Sequence, residues 1–68
     1  MFNPYTESRR IVQSGMDIRV IAEVVKEMVD SCWDATPESS EPFFNLGEFD
    51  TKLRDLAQEV EYLQRTRI

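Results

Sequence analysis

The chain has 68 residues, no histidine and a formal net charge of -5, from 8 Lys and Arg against 13 Asp and Glu. That length makes one domain, 1–68, which buries only about 60% of its unfolded surface, so stability must come from regular helix packing, self-association or both. A single cysteine excludes an internal disulfide. With His absent the common zinc clusters are excluded too, and no metal or other cofactor is expected. The lone Cys32 and the lack of a signal-like N-terminus point to a reducing, cytoplasmic setting. No apolar run approaches the roughly 18 residues of a membrane span. Charge is unevenly spread: from Glu23 to Asp50 eight acids face one base, Lys26, while both ends are slightly basic.

Asn3-Pro4 reads as a helix start, because Asn caps and Pro suits the first helical position. A short helix over about 4–14 follows, with Tyr5, Ile11 and Val12 apolar, and Gly15 closes it. Asp17 caps a second helix that runs to about Trp33 or Asp34. Its seam is Ile18, Ile21, Val25, Met28 and Cys32, at steps of three and four, which is one helical face. Ala22, Val29 and Trp33 widen that face, as expected of a helix touched on two sides, and favour a homodimer over a monomer. Arg19/Glu23 and Lys26/Asp30 are spaced for i,i+4 ion pairs.

Residues 35–42 are a connector rich in turn formers, in which Thr36-Pro37-Glu38 could start one helical turn. A third helix begins near Asn45 or Gly47 and reaches about Arg65. Asn45 with Glu48 fits a capping box. The seam of this helix is Leu46, Phe49, Leu53, Leu56, Val60 and Leu63. Lys52, Asp55 and Glu59 belong to its solvent face, and Arg65 and Arg67 complement the helix dipole.

The expected fold is all-α: a small domain built on an antiparallel helical hairpin, about 18–33 and 46–65, with a short N-terminal helix crossing an end. Ile21, Val25, Met28, Leu53, Leu56, Val60 and Leu63 form either the core of that hairpin or a self-association seam.

Chemistry-bearing residues are few. Cys32 reads as a small buried hydrophobe, since no histidine can activate it and Asp30 and Asp34 would disfavour the thiolate. Glu23/Glu27 and Asp30/Asp34 read as a solvated face. No enzymatic activity is expected. Adjacent Phe43 and Phe44 point in different directions, so one plugs the hairpin end and the other is free to anchor a partner, with Ser39, Ser40 and Glu41 as a polar rim. Trp33 reads first as a large core residue and second as part of that partner-binding group.

The expected function is a protein–protein interaction module or small regulator acting on a larger protein. Small acidic helical chains of this type are frequent among phage and mobile-element accessory proteins, an analogy of type alone. One alternative is a nucleic-acid-binding regulator with a degenerate helix-turn-helix, contacting phosphates through Arg9, Arg10 and Arg19. Against it, Lys26 stands where the turn glycine belongs, and Asp30 and Asp34 would face the DNA. The other alternative is an acidic DNA mimic.

Overall fold

The computed structural model describes residues 2–35 and 41–66. Three helices, α1 (Pro4–Gln13), α2 (Ile18–Asp30) and α3 (Leu46–Arg65), make a small helical domain. Two short strands, β1 (Trp33–Asp34) and β2 (Phe43–Phe44), pair antiparallel between α2 and α3. The expected turn at Thr36-Pro37-Glu38 and the rim residues Ser39 and Ser40 lie outside the described residues, as does Arg67.

Local chemistry sets the helix ends. The Asn3 side chain accepts from the backbone N–H groups of Tyr5 and Thr6, and Asp17 accepts from Arg19. After α1, Gly15 (φ 72) and Met16 (φ 63) both take left-handed backbone. The Met16 N–H donates to the Ile11 carbonyl and the Gly15 N–H to the Val12 carbonyl, a Schellman closure that satisfies the last carbonyls of the helix. Glycine occupies the first left-handed position at little cost; Met16 holds the second with an exposed side chain.

α2 stops at Asp30, three to four residues before the expected end, because Cys32 and Trp33 turn into the strand pair. Asn45 does cap α3, its Oδ1 accepting from the Glu48 N–H at 3.0 Å. The reciprocal half of the capping box is replaced. The Asn45 N–H donates to the Cys32 carbonyl at 2.8 Å, and Glu48 pairs with Lys52 at 2.8 Å.

The core is Phe2, Ile11, Val24, Met28 and Leu56, with Val20, Ile21, Phe49 and Val60 packed against it. The N-terminal helix is more than a cap on the hairpin. α1 approaches α3 more closely than α2 does. It runs antiparallel to α2, since Arg10 reaches Glu23 and Glu27 while Phe2 lies beside Ser31. It runs the same way as α3, because its C-terminal residues Arg9, Val12 and Gln13 share a cleft with Leu63 and Thr66 at the C-terminal end of α3. Ser8, fully buried on α1, donates its hydroxyl to the Tyr5 carbonyl. This docking turns the buried line of α2 from Ile18, Ile21 and Val25 towards Val20, Val24 and Met28 (an i,i+4 line). Among the described residues no helix is long and apolar enough to cross a membrane.

The expected Arg19/Glu23 pair is rearranged for the same reason. Glu23 is bound by Arg10 of α1, and Arg19 turns back to Asp17. Lys52 is not on the solvent face. Half-buried, it donates to the Ser31 hydroxyl at 3.0 Å and the Ser31 carbonyl at 3.4 Å. A cation there meets the partial negative charge at the C-terminus of α2 and ties that end to the first turns of α3.

Candidate functional site

Exposed large apolar side chains include Trp33 and Phe43 on the β1–β2 strap and Ile18, Leu46 and Leu53 on α2 and α3. In the strap, Trp33 faces Phe44 and Asp34 faces Phe43 across the ladder. Successive strand residues point to opposite sides, so the two phenylalanines divide their roles. Phe44 turns inward and is gripped between Trp33 and Phe49, with ring centroids 5.3 and 5.6 Å away in tilted geometry. Phe43 turns outward and is 48% exposed. Trp33 is 50% exposed, so it is not the enclosed core residue expected first. A bulky indole at the edge of a two-residue strand has protein on one side only. Glu41 is exposed two residues before Phe43.

The strap is braced from below. The Asn45 side-chain amide donates to Asp34 at 3.0 Å while its carbonyl caps α3, so one residue fixes both β1 and the helix start. The Cys32–Asn45 backbone bond extends the ladder by one rung. Cys32 itself is fully buried. Its Sγ lies 3.9 Å from the Ser31 hydroxyl.

A second apolar surface runs between α2 and α3. Ile21 and Val25 form one wall, Leu53, Ala57 and Val60 the other, Ile11 and Leu56 the floor, and Met16 one end. The seam residues are therefore divided. Met28 and Leu56 are buried; Ile21, Val25, Val60 and Leu63 are half-buried; Leu53 is 41% exposed. Leu46 and Ile18, on the same stripes, stand further out at 68% and 76% exposed.

The three arginines do not form a basic face. Arg10 is bound by Glu7, Glu23 and Glu27, and Arg19 by Asp17. The hydrogen bond to Glu7 is the chief cause holding the Arg10 guanidinium above its ordinary pKa; burial opposes it, and the charges of Glu23, Glu7 and Glu27 add to it. Arg9 borders the cleft beside Leu63 and Thr66. Among the described residues, no group of three or more acidic, Cys or His side chains is placed to hold a metal ion.

Phe2, Ser8 and Val24 escaped the sequence reading. Val24 sits four residues before Met28, and that i,i+4 spacing was the available signal. Phe2 and Ser8 carry no periodic signal, because they are buried only by the docking of α1. No family model matches this chain, and neither a curated protein nor a solved structure is significantly similar to it.

Proposed function

We propose that the chain is a non-enzymatic interaction module that captures a larger protein through the aromatic tip, with Phe43 on the outer face of the strap and Trp33, on the opposite face beside Phe44, as anchors, and Glu41 close to Phe43. The observation that carries this reading is the pair of half-exposed aromatic side chains on a braced strap. Large rigid aromatics dominate interface energetics, and a fixed backbone lowers the entropy lost on binding. Phe44 is held between Trp33 and Phe49 and belongs to the support of the strap. The module acts by occupying its partner's surface, as a small regulator does. Arg10 and Arg19 are already paired with carboxylates of the same chain, which favours a structural role for both over phosphate contact.

The test is a tagged pull-down from lysate of the source organism, with and without nuclease. A stoichiometric protein partner that survives nuclease, and is lost with Phe43→Ala and Trp33→Ala, is expected. Each substitution should cost at least about 1 kcal/mol of binding, and the thermal melt of Phe43→Ala should stay near that of the parent chain. Recovery of nucleic acid, or of partners that vanish with nuclease, would sink the reading. Large and equal loss of stability in both variants would return the two aromatics to a structural role.

A further inference from the structure

We propose that the groove between α2 and α3 is the contact face of a symmetric homodimer, closed by the same face of a second copy. This face contains neither Trp33 nor Phe43, so it is independent of the aromatic tip.

Surface area gives the first argument. A folded monomer of 8.0 kDa exposes about 4,450 Å². This chain exposes 5261 Å², about 800 Å² more. One side of a standard protein interface removes about 800 Å². The excess equals one side of such an interface in size and is spread over an elongated surface of which the groove is one part.

The apolar pattern gives the second. On α2 the outward line Ile18, Ala22, Val25 and Val29 repeats at steps of four, three and four, beside the inward line Val20, Val24 and Met28. A helix with two adjacent apolar lines is built to be touched on two sides; on the outward line Ile18 and Ala22 are exposed, and Val25 and Val29 are half-buried. On α3, Leu46, Leu53 and Ala57 continue the open stripe. At about 280 Å³ the groove stands at the lower limit of small-molecule pockets, about 300 Å³, and its long apolar lining suits the side chains of another helix.

Charge gives the third. In a two-fold contact identical patches meet, so a patch with net charge repels itself. The chain is acidic, yet the α3 rim of the groove is neutral, because Asp50 pairs with Arg54 and Glu61 with Arg65. Asp17 and Arg19 cancel at the α2 end. Glu23 and Glu27 lie on the other side of α2, against Arg10 of α1.

Analytical ultracentrifugation tests the proposal. The parent chain is expected at twice the 8.0 kDa protomer mass. Ile18→Glu and Leu53→Glu put charges at positions already open to water in the single chain. Each should weaken association at least about tenfold with helicity unchanged, while Phe43→Ala leaves the mass at the dimer value. A second measurement needs no variant. In a mixture of isotope-labelled and unlabelled chains, intermolecular NOEs are expected at the methyls of Ile18, Val25 and Leu53. The proposal would be overturned by a monomer mass up to about 100 μM, by a dimer that survives both Glu variants, or by a dimer without those NOEs. Loss of the dimer with Phe43→Ala alone would also overturn it, by moving self-contact to the tip.

Discussion

Ser8 shows how much one small side chain decides. It is fully buried on α1, and its hydroxyl needs no distant partner because the Tyr5 carbonyl accepts it. Ser8→Ala removes only that local bond, and urea denaturation should show a change within about 1 kcal/mol. Ser8→Leu forces extra volume into a filled site and should cost about 1–3 kcal/mol. Equal, small effects from both would mean that α1 is not packed tightly at this position. Phe43 and Phe44 make the same point through direction: adjacent and chemically identical, they differ in role because a strand alternates its sides.

Among the elements, the junction of the strap with α3 concentrates its work in Asn45. Asn45→Ala removes both the helix cap and the bond to Asp34, and should cost about 1–2 kcal/mol in chemical denaturation. Asn45→Asp separates the two roles. It keeps an acceptor for the Glu48 N–H but sets a carboxylate against Asp34. Near neutral pH it should be less stable than the parent chain, and the difference should shrink in acid, where one of the two facing carboxyls takes up a proton and the repulsion is lost. A deficit that does not change with pH would show that Asp34 does not feel residue 45. The capping box expected at this site is half made, because the Asn45 N–H is taken by the Cys32 carbonyl.

For the whole molecule, the small core sets the terms. Leu56 lies under both the α1 contact and the α2–α3 groove, in a chain with few other buried apolar residues. Leu56→Asp buries a carboxylate without a partner and should abolish the cooperative melt seen by circular dichroism. A native-like melt in that variant would place Leu56 outside the core. The molecule is elongated, with extents of 51 × 20 × 15 Å, which keeps much of its apolar surface in reach of partners. The two open surfaces are distinct: aromatics on the strap, aliphatics along α2 and α3.

The sequence by itself determined the three helices, their caps at Asn3, Asp17 and Asn45, the closing glycine, the burial of Cys32 and the all-α class. These features depend on residues three or four positions apart, and such spacing is visible in a linear chain. Tertiary structure decided which apolar line of α2 faces inward, that α1 lies along α3, that Arg10 claims Glu23, and that Trp33 and Phe43 stand half in water. Each of these depends on which element arrives beside which. A stripe of apolar residues says that a face must be covered, but the covering surface comes from far along the chain, or from another one.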